Sequence, residues 1–152
     1  MIEVKSYLQD RWIGGSDAGT EVLAAATGEV IARASTTGLD FAAGLEHARG
    51  VGGPALRALS FAQRGEILDR LAQVIHGVRQ ELIDVSTRNY GATRGDAKFD
   101  IDGGTATLAA YAEIGATLGD RRYLLDGEGL QLGRSPRFWG QHVKLPRRGV
   151  AI

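Results

Sequence analysis

The stretch SFAQRGEILDRLAQVIHGVRQELIDVSTRNY, Ser60 to Tyr90, opens with a serine three residues ahead of a glutamine. That spacing is a capping box: the Ser60 hydroxyl accepts from the Gln63 amide while the Gln63 side chain reaches back to the Ser60 amide. Leu68, Leu71, Ile75, Val78, Leu82 and Val85 follow at intervals of three and four, which predicts an amphipathic helix with these residues on its packed face. Gly77 falls inside the stripe and predicts a break into two helices, the second closed by Gly91.

On the amino-terminal side, Leu39–Arg49 has helical spacing at Phe41, Leu45 and Ala48, and Gly50, Gly52, Gly53 and Pro54 are expected to stop it. Further back, strand-like pieces at Tyr7–Ile13 and Gly28–Ala34, punctuated by Gly14-Gly15-Ser16-Asp17 and Thr27-Gly28, predict a small antiparallel leader. On the carboxyl-terminal side, Asp102 is placed to cap a helix through Thr105–Leu118 that ends at Gly119-Asp120. YLLDGEGLQLGR and FWGQHVKL then give two strand candidates around an Asp-Gly turn and an Arg-Ser-Pro loop. LPRRGVAI closes the chain, and Gly149–Ile152 reads as the first residues of a buried strand.

The length of 152 residues suits one domain, and eighteen basic residues balance eighteen acidic ones, so bulk charge points neither to nucleic acid nor to an anionic membrane. No cysteine is present, which excludes disulfides, thiolate metal sites and a cysteine nucleophile within this stretch. No secretory signal or membrane-length apolar run is present, and the expected location is cytoplasmic. His47, His76 and His142 lie far apart without metal-ligand spacing. Asp100-Ile101-Asp102-Gly103-Gly104 lacks the third ligand and terminal glutamate of a calcium loop, so helix capping is the expected role of Asp102. The glycines form neither a G-x-G-x-x-G nor a Walker loop and read as turns. Arg121-Arg122 and Arg147-Arg148 are too short for a nucleic-acid stripe, and Phe138-Trp139 reads as an interface or edge-strand pair. Periodicity and spacing alone support a soluble α/β piece without a complete active site.

Three segments carry a resemblance. ATGEVIARAS, Ala26 to Ser35, is similar to the leader N-P-A-T-G-E-V-I-A of the aldehyde dehydrogenase superfamily, with Ala24-Ala25 where Asn-Pro is usual. The Ser60–Ala97 stretch resembles that family's helix pair with its Arg-x-x-x-Leu and Arg-x-Glu-Leu patterns, at Arg64, Leu68, Arg79, Glu81 and Leu82, although Tyr90-Gly91-Ala92 replaces Thr-Gly-Lys. LPRRGVAI resembles the family's P-x-G-V strand. GLDFAAGLEHARGVGGPALRALSF and GATRGDAKFDIDGGTATLAAYA are similar to the branch that oxidises ring-opened coenzyme A semialdehydes in aerobic phenylacetate and benzoate breakdown.

The resemblance implies an α/β fold that is the amino-terminal portion of a longer enzyme. Its parts would be a hairpin leader and helices over 1–120, oligomerisation strands over 121–148, and the first strand of a Rossmann-like cofactor domain from 149–152. It implies NAD or NADP as cofactor, thiolate attack on the aldehyde, and glutamate-assisted hydrolysis of the thioester. All of that machinery would lie after Ile152, so the chain alone is expected to hold no catalytic or cofactor-binding residue and no activity. Gly103, Gly104 and Thr107 would face the substrate tunnel from a helix start, widening it for an acyl-CoA semialdehyde. Tyr123, Leu125, Leu130, Leu132, Phe138, Trp139 and Val143 would lie in the interface of a homo-oligomer. The rival reading is a stand-alone, non-catalytic helical module whose hairpins mediate assembly, disfavoured by the open strand at the end.

Overall fold

The computed structural model describes residues 2–150. The leader is two small sheets. In one, β1 (Ile2–Val4) runs parallel to β5 (Val30–Ala34), which pairs antiparallel with β4 (Thr20–Leu23). In the other, β2 (Ser6–Leu8) and β3 (Arg11–Ile13) form a tight hairpin. The expected single strand Tyr7–Ile13 is thus two, because Gln9 (φ 51°) and Asp10 (φ 61°) are both left-handed and turn the chain. Tyr7 lies opposite Trp12 with ring centroids 5.1 Å apart, edge to face. The β1–β5 pairing corrects the purely antiparallel leader. The loop before β4 is pinned by Asp17, which accepts from the Ser35 hydroxyl at 2.5 Å, the Thr37 hydroxyl at 2.7 Å and the Gly19 amide at 3.0 Å.

Asp40 caps α1 (Phe41–His47), accepting from the Ala43 amide at 2.9 Å. The glycines and Pro54 do not end the helical path as expected. The chain passes through a π-helical turn, Ala48–Gly52, into α2 (Gly53–Ala58), whose first turn takes Pro54 where its missing N–H costs nothing.

The predicted capping box opens α3 (Phe61–Gly77): the Ser60 hydroxyl accepts from the Gln63 amide at 3.2 Å, and Gln63 Oε1 accepts from the Ser60 amide at 2.9 Å. The Phe61 and Ala62 amides donate to the carbonyls of Arg121 and Gly119, so the first turn leaves no orphan donor there. The break near Gly77 is present, α4 (Arg79–Tyr90) follows, and Gly91 closes it at φ 80°. The third helix departs from expectation: α5 spans Arg94–Leu118, capped by Thr93 rather than Asp102. The Thr93 hydroxyl accepts from the Asp96 amide and donates to the Asp96 carboxylate at 2.8 Å.

α5 runs antiparallel to α3, with Gly65 against Ala112 and Gly115. A Cβ on Gly115 would lie 2.7 Å from the Phe61 carbonyl oxygen, and one on Gly65 2.8 Å from that of Ala112, so the helices meet backbone to backbone. Most of the buried residues are accordingly small: Gly65, Ala72, Ala97 and Gly115 in the helices, beside the larger Ile83, and Ala24 and Ala32 in the leader. This shifts the packed line of the first two helices to Gly65, Leu68, Ala72, Ile75 and Ile83, and leaves Leu71, Val78 and Val85 of the expected stripe exposed.

The chain ends in a hairpin of β6 (Leu124–Gln131) and β7 (Trp139–Lys144). Asp126-Gly127 is not the turn. The register shifts there, with Gly127 at φ 74°, as a bulge within β6, and the reversal is made by Leu132–Phe138, closed by the Leu132 amide donating to the Phe138 carbonyl. Gly149 and Val150 are not in a strand; the rest of the expected terminal strand, Ala151 and Ile152, lies outside the described residues.

Candidate functional site

Exposed positions of α5 carry the tunnel candidates. Gly103 and Gly104 are adjacent, with Thr107 about one helical turn further on, all exposed, but in the middle of a 25-residue helix and not at its start. The expected geometry is therefore corrected: no helix terminus points along them, and the Thr107 hydroxyl donates back to the Gly103 carbonyl at 2.8 Å. A Cβ on either glycine meets nothing within 4 Å, so close packing within the chain does not require them. Two adjacent glycines in an exposed helix interior lower helix stability by roughly 1 kcal/mol each relative to alanine. The local sequence carries that cost without a contact that repays it inside this chain.

What fixes this strip in place is a pair that the sequence reading did not find. Asp102, expected to cap, instead takes the Arg79 guanidinium in a two-pronged grip, Nε to Oδ1 at 2.5 Å and Nη2 to Oδ2 at 2.7 Å. It ties the first residue of α4 to the midpoint of α5. The Arg79 hydrogen bond holds the Asp102 carboxyl below the ordinary carboxylate range, and Asp102 in turn raises the Arg79 guanidinium. Asp17 is also depressed, first by the Ser35 hydroxyl, then by the Thr37 hydroxyl and the Gly19 amide; it stands in the wall of a cleft of about 630 Å³ beside Val4, Thr20 and Ser35. Its acceptor capacity is used by the loop it pins, which reads as a structural role.

The seven interface candidates all lie on or beside the terminal hairpin. Tyr123 precedes β6, Leu125 stands opposite Val143, and Leu130 opposite Gly140. Leu132 lies over Gly140, the Trp139 ring crosses Gly129, and Phe138 lies against Gly133. These side chains are between 48% and 70% exposed, so the hairpin presents an uncovered apolar surface.

Among the described residues, no group of three or more histidine, aspartate or glutamate side chains is placed to hold a metal. His47 lies beside Asp10 at 3.4 Å, apart from the other histidines. Among the described residues, no strand leads through a glycine-rich turn into a helix N-terminus as a dinucleotide cradle would require. No described helix is long and apolar enough to cross a membrane.

Residues 12–136 match the aldehyde dehydrogenase family. The chain is 40% identical over 151 residues to a 3,4-dehydroadipyl-CoA semialdehyde dehydrogenase of Aromatoleum evansii, covering 99% of this chain and 29% of that protein. In structure it is similar to an NAD-dependent benzaldehyde dehydrogenase from Corynebacterium glutamicum, with a TM-score of 0.67 at 17% identity over 82% of this chain and 27% of the other. The mixed fold of hairpins and helices is thus found within an aldehyde dehydrogenase, and the chain belongs to the aldehyde dehydrogenase family. It spans less than a third of the length of either relative.

Proposed function

We propose that the chain serves as the amino-terminal part of an NAD(P)-dependent aldehyde dehydrogenase that oxidises a ring-opened acyl-CoA semialdehyde to the corresponding acid in aromatic catabolism. The observation that carries the reading is the 40% identity, over nearly the whole chain, to a dehydrogenase named for a coenzyme A semialdehyde. The net change is aldehyde, water and NAD(P)⁺ to carboxylate, NAD(P)H and two protons. A nicotinamide dinucleotide accepts the hydride when bound.

The chain supplies no thiol for attack on the aldehyde, since it contains no cysteine. Its contribution is to shape and to assemble. Residues 1–120 form the scaffold, in which Arg79 and Asp102 hold α5 so that the bare strip at Gly103, Gly104 and Thr107 borders the substrate path. Residues 121–148 carry the hairpin whose exposed Tyr123, Leu125, Leu130, Leu132, Phe138, Trp139 and Val143 pair with another subunit in a cytoplasmic homo-oligomer. Residues 149–152 lead into the cofactor domain, where the NAD or NADP contacts lie.

The experiment is to express the whole coding region and measure nicotinamide reduction with a CoA semialdehyde and with the same aldehyde lacking coenzyme A. Faster turnover of the thioester is expected, and no reduction by the 152-residue chain alone. Reproducible reduction by the repurified chain would overturn the reading.

A further inference from the structure

We propose that Arg49, Arg57 and Arg148 form a phosphate-binding cleft for the nucleotide end of a coenzyme A thioester, an inference that rests on the substrate reading above. The three side chains, with Gly149, line one solvent-open cleft of about 390 Å³. They come from two separate parts of the chain: Arg49 and Arg57 from the π-helical turn and the α2 that continues it, and Arg148 from the segment after β7. Among the described residues, no carboxylate lines the cleft.

Three like charges brought to one cleft repel one another unless anions are placed among them. The compensation within the described residues is slight. Arg49 reaches Glu46 at 3.4 Å, an exposed pair of little worth, and among the described residues neither Arg57 nor Arg148 has a carboxylate within 4 Å. The backbone makes room for the cluster. The Arg57 guanidinium lies back along its own helix, its Nη1 3.0 Å from where a Cβ on Gly53 would stand. The π-helical turn that carries Arg49 is an uncommon element in a short helix run and is found disproportionately at functional sites.

Guanidinium forks match phosphate oxygens two at a time, so an open cluster of three suits clustered phosphates better than a single carboxylate. Coenzyme A carries a diphosphate and a 3′-phosphate, joined to the reacting end by a long flexible arm. A phosphate site on the outer surface is therefore compatible with chemistry elsewhere in the enzyme. NADP⁺ shares the phosphate chemistry, but its pyrophosphate sits close to the reacting ring and requires a glycine-turn cradle, which this cleft does not offer.

The test is calorimetric titration of the protein from the whole coding region with coenzyme A, dephospho-coenzyme A and NADP⁺, repeated in R49Q/R57Q/R148Q and in the control R11Q/R70Q/R88Q, which removes the same charge from exposed positions outside the cleft. Each lost charged hydrogen-bonding contact is expected to weaken binding roughly tenfold. The cleft variant should therefore lose most coenzyme A binding, the control should keep it, and dephospho-coenzyme A should bind more weakly than coenzyme A. Should the triple variant lose its helical circular dichroism, R148Q alone, outside every helix and strand, is expected to weaken coenzyme A binding. Absence of coenzyme A binding to the unaltered whole protein, equal losses in cleft and control variants, or arginine-dependent binding of NADP⁺ without coenzyme A would each overturn the proposal. Arginine-dependent coenzyme A binding beside a whole enzyme that prefers free aldehydes would uphold the cleft and remove the substrate reading instead.

Discussion

Asp102 shows how one side chain can be read locally in one way and used in another. An aspartate followed by two glycines looks like the cap that begins a helix, yet its carboxylate is turned to Arg79, 23 residues earlier, inside a helix already two turns old. No local pattern announces such a pair, because it depends on how α4 and α5 cross. Its sign with pH is definite. The folded-state Asp102 carboxyl titrates below its unfolded value, so the contribution is present above the ordinary carboxylate range and is lost as pH falls through the depressed folded value. Asp102→Asn should lower urea stability near neutrality, and the difference from the unaltered chain should shrink in acid; a constant difference would show that the charge is not what matters. Gly103 and Gly104 give the complementary test. Alanine at either should stabilise the chain by roughly 0.5–1 kcal/mol, since each lies in an exposed helix interior with open space around it. Gly115→Ala should instead destabilise by about 1–3 kcal/mol, because its methyl would press on the Phe61 carbonyl. The same two strip glycines, replaced by leucine in the whole enzyme, should slow CoA semialdehydes more than short aldehydes; equal losses at unchanged melting temperature would remove the tunnel role.

At the scale of elements, the ones legible in sequence are those whose start and stop are written within a few residues. The α3 cap is one, and Ser60→Ala should cost about 1 kcal/mol in thermal or urea unfolding, because it frees the Gln63 amide at a buried position. The α4 closure at Gly91 is another. Elements were misread where a breaker signal was outvoted by tertiary packing. Gly103-Gly104 sits inside α5 because Ala97 at one end and Gly115 at the other are buried against neighbouring helices, and the whole rod is held between them. Asp126-Gly127 is a bulge because the strand resumes its pairing at Leu130. The β1–β5 pairing joins segments nearly thirty residues apart in parallel, which alternation of apolar residues cannot reveal. If the hairpin pairs between subunits as proposed, Leu130→Lys with Phe138→Lys in the whole enzyme should lower the oligomeric mass in light scattering, since charges on an apolar face are costly to bury; retention of that mass by a folded variant would remove the hairpin from the interface.

At the scale of the molecule, the resemblance in ATGEVIARAS and in the Arg64–Leu82 pattern reached the family, and the fold match agrees with it. The candidate site was less legible, because its parts are spread over separate elements and none contains the reacting groups. Gly103, Gly104 and Thr107 could be named from sequence as tunnel candidates, but not their place in the middle of α5, and neither the Arg79–Asp102 grip nor the arginine cleft has a local signature. Strong exposure of Ile67, Leu71, Val74 and Val78 along α3, beside the bare hairpin, describes a chain whose apolar surface exceeds what its own small core covers. The central claim is that these helices belong to a dehydrogenase acting on a coenzyme A-bound aldehyde. The measurement that tests it most directly is kcat/KM of the protein from the whole coding region on a CoA semialdehyde against the same aldehyde freed of coenzyme A, read as NAD(P)⁺ reduction. A higher value for the thioester is the predicted result; an equal or higher value for the free aldehyde would contradict it.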